Sequence, residues 1–268
     1  MKRLRSLATR AGRESEGLLL LEGTHLLQEV LRQGSAPEEI IATEAWLESH
    51  SGLVECCSQA SWRIVTDDVL RAALTTVTPD GVACLSPLGA LPTVPSELDF
   101  VLVLDRIQDP GNLGTLLRTA LAADVNAVWL GGGVDPLGTK VLRASAGALL
   151  QLPHQRFGPS EAMAIPLLQQ ELRQLGASGV QVVATLVPDP TQADPPLPYW
   201  DLDWTLPTAL VLGTEGAGLH PDLQGCCTHA VTLPHSPRVE SLNVASAAVP
   251  LLLERRRATM TATSHQFG

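Results

Sequence analysis

Five short apolar runs between residues 100 and 233 constrain the fold of this chain more than any other feature: Phe100–Leu104, Ala127–Leu130, Val180–Thr185, Ala209–Leu212 and Ala230–Leu233. None shows the strict polar–apolar alternation of a half-exposed strand, and turn formers bound each one. A strand that is apolar on both faces has to be covered on both faces. Helical patterns fall between several of the runs, at about 112–123, 139–149, 160–176 and 241–256. This strand-then-helix repetition predicts an α/β domain with a parallel sheet and helices on both faces. Ligands of such sheets bind beyond the carboxyl ends of the strands, so the loops after these runs are where chemistry is expected.

Ahead of residue 99 the pattern is weaker but of the same type. Leu18–Leu21, Glu39–Thr43, Arg63–Thr66 and Val82–Leu85 read as strands. A helical pattern from Glu22 to Arg32 places Leu26, Leu27, Val30 and Leu31 on one face. Shorter helices at about 44–49 and 67–74 complete a small α/β sandwich. Residues 86–98, S-P-L-G-A-L-P-T-V-P-S-E-L, carry three prolines, which is linker composition. The expected division is a first domain at 1–90, a linker at 91–98 and a second domain at 99–268. Pro188–Pro207 is a second proline-rich stretch and reads as a long surface loop.

Composition excludes several function classes. Aromatic residues are only 3% of the chain, so the cores must be built from Leu, Val and Ala. No run approaches the roughly 18 apolar residues of a membrane span. The start, MKRLRSLATRAGRESEG, lacks the apolar segment of a secretory signal. A cytoplasmic location with no membrane partner is expected. Cys56–Cys57 and Cys226–Cys227 are adjacent pairs and Cys84 stands alone; with no metal-ligand spacing they read as free thiols, and no metal is implied. Neither G-x-G-x-x-G nor G-x-x-x-x-G-K-[ST] is present, so neither a nicotinamide cofactor nor ATP is supported.

Net charge of −10 taken alone argues against a nucleic-acid partner. Its distribution softens the objection, because Lys2, Arg3, Arg5, Arg10 and Arg13 all precede the first acid, Glu14. Arg255–Arg257 closes the last helical pattern, where a helix dipole favours cations.

Three loops after apolar runs carry polar groups. Asp105 to Ala120 reads D-R-I-Q-D-P-G-N-L-G-T-L-L-R-T-A, in which Asp109-Pro110-Gly111 is a turn, Asn112 can cap the helix that follows, and Arg118 lies six residues on. Residues 213–219, G-T-E-G-A-G-L, hold three glycines that permit close backbone approach to a ligand. Residues 238–248, R-V-E-S-L-N-V-A-S-A-A, place Glu240, Ser241 and Asn243 just ahead of a helix-length aliphatic run. Polar groups at a helix N-terminus face unpaired backbone N–H groups and the positive dipole end.

Taken in order, the D-x-x-x-D-P-x-N-x-G-x-x-x-R string at 105–118, the G-x-E-G-x-G-L string at 213–219 and the E-S-L-N-V string at 240–244 resemble the motifs of the SpoU (TrmH) family of RNA ribose 2′-O-methyltransferases. K-V-L-R-A-S-A-G-A at 140–148 is similar to the family too. E-G-x-x-L-L-x-E at 22–29 resembles the small ribosomal-protein-like RNA-binding domain that many members carry. The chain departs from the pattern at Leu233-Pro234-His235, where I-P-M is common, and at Ala245, where Ser is usual.

The resemblance implies a deep trefoil knot in the second domain, a homodimer, and S-adenosyl-L-methionine as cofactor. Carried over by position, the cofactor would be held by Thr185, Leu186, Leu212, Gly213, Leu233 and Leu242. The catalytic group would be Arg118, Asn112, Glu215, Ser241 and Asn243. RNA would be bound by the N-terminal domain with Arg3, Arg5, Arg10 and Arg13, arginine carrying most phosphate contacts because Lys2 and Lys140 are the only lysines. A ribose 2′-hydroxyl target excludes DNA, and an N-terminal domain of this type points to ribosomal rather than transfer RNA. Two alternatives stay open on the sequence: methylation of an RNA base, and a non-catalytic RNA-binding protein that keeps the fold.

Overall fold

The structure, a computed structural model, describes residues 1–158, 160–188, 194–214 and 216–265. The chain divides into two compact units, Met1–Pro92 with Asp135–Gln151, and Thr93–Val134 with Leu152–Gly268.

The first unit opens with two helices, α1 (Lys2–Leu7) and α2 (Arg10–Glu16). It continues through β1 (Leu18–Glu22), α3 (Thr24–Arg32), β2 (Glu39–Ala42), α4 (Glu44–Ser49), α5 (Ser51–Cys56), β3 (Ser61–Ile64), α6 (Asp67–Ala73) and β4 (Val82–Pro87). The strands form one mixed sheet in the order β1-β4-β2-β3, with β4 antiparallel to both neighbours and β2 parallel to β3. Leu18 and Leu20 of β1, Ile41, Ala83 and Leu85 meet Leu4, Leu7 and Leu70 in its core. Glu22, expected to open a helix, instead ends β1, because Gly23 breaks the chain direction at φ +104°. Its buried carboxylate accepts from the backbone N–H of Thr75 and of Thr76, each at 2.9 Å, and from the Arg143 guanidinium at 2.8 Å. A buried carboxylate is tolerable only when so compensated.

Arg13 requires a correction. Its side chain is 2% exposed, paired with Asp135 and donating to the carbonyls of Leu7 and Ala8. It ties the start of the chain to residue 135 inside this unit and has no surface to offer RNA.

The second unit runs β5 (Phe100–Leu104), α7 (Pro110–Ala122) and β6 (Ala127–Leu130) before the chain returns to the first unit with α8 (Thr139–Ala144). It resumes with β7 (His154–Arg156), α9 (Glu161–Ala177), β8 (Gln181–Thr185), β9 (Leu197–Pro198), β10 (Thr208–Leu212), α10 (Pro221–Gln224), β11 (His229–Thr232) and α11 (Val244–His265). The seven strands form one sheet in the order β7-β6-β5-β10-β8-β11-β9, and every pairing is parallel. Alternate strand residues, Val101, Val103, Val182, Ala184, Ala209 and Val211, pack with Ala164, Leu168 and Leu172 of α9. The opposite set, including Leu102, Leu104, Leu210 and Leu212, is equally buried, and α7 and α11 pack together. The α/β architecture with a parallel sheet covered on both faces is therefore present. The knot implied by the resemblance concerns chain threading, which strand order does not define.

Several local expectations need adjusting. The pattern at 139–149 is α-helical only to Ala144, with a short 3-10 turn at Ala148–Leu150, because Ala146 and Gly147 take left-handed φ values of +50° and +77°. The last helix does not close at the arginines but runs on to His265. Arg255 is buried, paired with Asp99 at 2.7 Å and set over the Phe100 ring, while Arg256 pairs with Asp124 and Arg257 with Glu254. The part of Pro188–Pro207 from 189 to 193 lies outside the described residues. All five cysteines are free thiols. Burial pushes the Cys227 thiol up to about 12 and that of Cys84 higher still, which keeps both protonated. Among the described residues no helix is long and apolar enough to cross a membrane.

Candidate active site

The strand order sets neighbouring carboxyl ends side by side: β5, β10, β8 and β11 are consecutive in the sheet. Beyond the last three lies a cleft with about 540 Å³ of empty space open to solvent. All six residues expected to hold a cofactor line it: Thr185 and Leu186 after β8, Leu212 and Gly213 after β10, Leu233 after β11, and Leu242 before α11. Ser241 lines it as well. Aliphatic walls with few polar atoms suit a flat heteroaromatic ring. The Thr185 hydroxyl oxygen is buried and has no hydrogen-bond partner among the described residues. An orphaned polar atom on a cleft wall is a donor and acceptor waiting for a ligand.

The backbone of the cleft is held by the same strand ends. Leu186 N–H donates to the Val231 carbonyl and Asp105 N–H to the Leu212 carbonyl, both at 2.9 Å. After Gly213 the chain doubles back, Thr214 and Gly218 exchanging N–H···O bonds at 3.1 and 3.0 Å. A Cβ on Gly213 would stand 2.3 Å from the Gly218 carbonyl carbon and the Leu219 nitrogen, so only glycine fits. Glu215, within this loop, lies outside the described residues.

Asp105, fully buried at the end of β5, anchors that loop from below. One carboxylate oxygen accepts from Arg106 Nε at 2.9 Å; the other accepts from Arg106 at 3.0 Å and from the His220 backbone N–H at 2.9 Å. Arg106 adopts a left-handed φ of +56°, an uncommon conformation for a residue with a side chain. Sequence reasoning passed over Asp105 as part of a motif string; its signal was a charged residue directly after a wholly apolar strand.

The helix caps differ from the expectation in one respect. Asp109, not Asn112, caps α7, its carboxylate accepting from the Asn112 backbone N–H at 2.8 Å. The Asn112 side chain is thereby left for another contact. Asn243 caps α11, its Oδ1 accepting from Ala245 N–H at 3.0 Å and Ser246 N–H at 3.2 Å. Two N–H donors demand an oxygen there, so the Asn243 amide nitrogen must face the other way. It donates to Asn112 Oδ1 at 3.0 Å. The N-termini of α7 and α11 thus meet through this amide pair, and their dipoles favour an anion or a developing negative charge beside it.

Arg118 stands apart from the cleft. It lies on the exposed face of α7, in line with Gly111 and Thr115 at helical spacing, and makes no hydrogen bond or ion pair among the described residues. In the first unit Arg3, Arg5 and Arg10 are exposed. Arg3 is bridged to Glu16 and Glu39, Arg10 to Glu14, and Arg5 donates to the Ala72 carbonyl. Val187, Thr232, His235, Val244 and Ala247 complete the cleft lining; the motif strings read from the sequence contained His235, Val244 and Ala247 but neither Val187 nor Thr232.

Comparison with known proteins places this geometry in a family. Residues 99–252 match the model of the SpoU rRNA methylase family, and residues 1–84 match an MRM3-like substrate binding domain. A tRNA/rRNA methyltransferase of Synechocystis sp., itself uncharacterized, is 40% identical, covering 98% of this chain and 93% of that protein. The 23S rRNA (guanosine(2553)-2′-O)-methyltransferase of Bacillus subtilis is 32% identical, over 96% of this chain and 95% of that one. Among solved structures, an AdoMet-bound rRNA methyltransferase from Sinorhizobium meliloti superposes with a TM-score of 0.76 at 26% identity, covering 96% of this chain and 93% of that one. The chain belongs to the SpoU rRNA methylase family.

Proposed function

We propose that this protein is a cytoplasmic enzyme that transfers the methyl group of S-adenosyl-L-methionine to a ribose 2′-hydroxyl in structured RNA, ribosomal rather than transfer RNA. The observation that carries the reading is the cleft itself. Six residues separated by up to 57 positions, Thr185 to Leu242, converge on one aliphatic site with an unpaired buried hydroxyl. Membership of the family and the 2′-O-methyltransferase relatives support the choice of reaction.

S-adenosyl-L-methionine supplies an electrophilic methyl carried on a positively charged sulfur. Thr185, Leu186, Leu212, Gly213, Leu233 and Leu242 would hold it. A neutral 2′-hydroxyl is a weak nucleophile, so the protein must orient it and stabilise negative charge as its proton departs. A guanidinium keeps its own proton at neutral pH. Arg118, exposed and without a partner among the described residues, therefore serves as a donor that grips an RNA phosphate and stabilises the developing alkoxide. Asn112 and Asn243 fix the two helix starts beside the ribose, Ser241 offers a hydroxyl at the cleft wall, and Glu215 would help position the ribose and the methyl donor. Arg3, Arg5 and Arg10 would exchange their present carboxylate and carbonyl partners for phosphates. We read the protein as a homodimer, because Val249, Leu253 and Met260 form an exposed apolar stripe at helical spacing on α11.

Purified protein should transfer labelled methyl from S-adenosyl-L-methionine to RNA and not to matching DNA. Nucleoside analysis of the product should show a 2′-O-methyl group, and a methylated base instead would overturn the assignment. Arg118→Ala should lower turnover by on the order of a hundredfold or more while thermal stability and cofactor binding stay near wild type. Unchanged turnover would remove Arg118 from the mechanism.

A further inference from the structure

The first unit holds a pocket of its own, with about 660 Å³ of empty space open to solvent. It lies between the start of α3 and the turn that leads from α6 into β4, and Arg143 of α8 joins its wall. Leu26, Leu74, Pro79 and Val82 give it apolar surface. Asp80 ties the two segments together, its Oδ2 accepting from the Thr24 backbone N–H at 2.8 Å.

The polar groups of this wall are fixed by some of their atoms and open at others. Arg143 Nη1 donates to Glu22 at 2.8 Å and to Thr76 Oγ1 at 2.7 Å, whereas Nη2 and Nε have no partner among the described residues. Asp80 Oδ1 and the Thr78 hydroxyl likewise have none among them. His25 is held through Nε2, which lies 3.2 Å from the Ala146 carbonyl oxygen, yet its side chain is 58% exposed. Two carboxylates, Glu22 and Asp80, against one guanidinium do not make a phosphate site. A planar heterocycle, by contrast, needs apolar surface for its faces and a few fixed donors and acceptors for its edge. A histidine ring also offers a face on which an unstacked base can settle.

We propose that this pocket takes one unpaired nucleobase of the substrate RNA, with Asp80, Thr78 and Arg143 reading its edge. The first unit thereby selects a segment with a base free to leave its stack, which a continuous duplex does not offer. Arg3, Arg5 and Arg10, the arginines assigned to phosphates, lie outside the pocket lining, so base and backbone contacts are divided between separate residues. The inference rests on the reading of RNA as the substrate.

Fluorescence anisotropy on the full chain tests this with two labelled probes: a short single-stranded RNA containing all four bases, and an abasic ribose-phosphate strand of the same length and charge. The strand with bases should bind more tightly by on the order of tenfold. Thr78→Phe, which fills the pocket from its exposed wall, should erase that difference, and His25→Ala should reduce it. In both variants the abasic strand and S-adenosyl-L-methionine should bind as in the wild type, and thermal melting should show the fold intact. Equal affinity of the wild type for the two strands would overturn the proposal, since phosphates alone would then account for binding. A difference that survives undiminished in both variants would also overturn it, because the bases would be held elsewhere. Either result leaves the methyl-donor cleft standing. Failure to bind either strand would overturn the inference, and with it the choice of RNA if methyl transfer to RNA fails as well.

Discussion

At the scale of single residues, Asn243 joins two jobs that are usually separate. Its oxygen caps α11 and its nitrogen reaches Asn112 across 3.0 Å. The two jobs can be pulled apart by substitution. Asn243→Ala should lose the cap, destabilising the protein by about 1 kcal/mol, and should also lose the link to α7. Asn243→Ser keeps a capping oxygen but is too short to reach Asn112. Its melting temperature should stay within about a degree of wild type, while methyl transfer falls as far as in the alanine variant. If the serine variant retains full activity, the amide pair has no role beyond the cap. The sequence placed Asn243 at a helix start from local pattern alone. It did not show that Asp109 would take over the cap of α7, a choice between two neighbouring polar side chains that backbone geometry decides.

At the scale of elements, the loop after β10 shows how a motif becomes a wall. Gly213 lies where the returning backbone of Gly218 and Leu219 leaves no room for a side chain. Gly213→Ala should therefore push the loop off the cleft and weaken binding of S-adenosyl-L-methionine by on the order of tenfold or more, about 1.4 kcal/mol. Calorimetry on the variant checks this, and wild-type affinity would show that the loop can shift without disturbing the cleft. Glycine spacing made a close approach legible. The sequence did not say that what approaches is the loop's own backbone, nor that Asp105 holds it through His220 across 115 positions.

At the scale of the whole molecule, the exposed stripe of Val249, Leu253 and Met260 bears on assembly. Leu253→Glu should convert a dimer to a monomer in sedimentation velocity without lowering the melting temperature of the fold, since Leu253 is 43% exposed. A wild type that sediments as a monomer would remove the dimer from the proposal. By itself the sequence determined the five inner strands of the large sheet, because burial on both faces imprints a continuous apolar run on each of them. It also determined that the polar motifs follow strand ends, because apolar runs stop where solvent or ligand begins. It missed α1, α2, α5, α10 and the edge strands β7 and β9, which are too short or too polar for periodicity to register. Only the tertiary structure decided that β10 enters between β5 and β8, which is what gathers residues 185, 212 and 233 around one cleft. It alone decided that Arg13, apparently part of a basic tail, is buried against Asp135 from 122 positions away. Periodicity reports that a residue or strand is buried; which distant partner buries it depends on complementary surfaces and paired charges that meet only when the chain closes on itself.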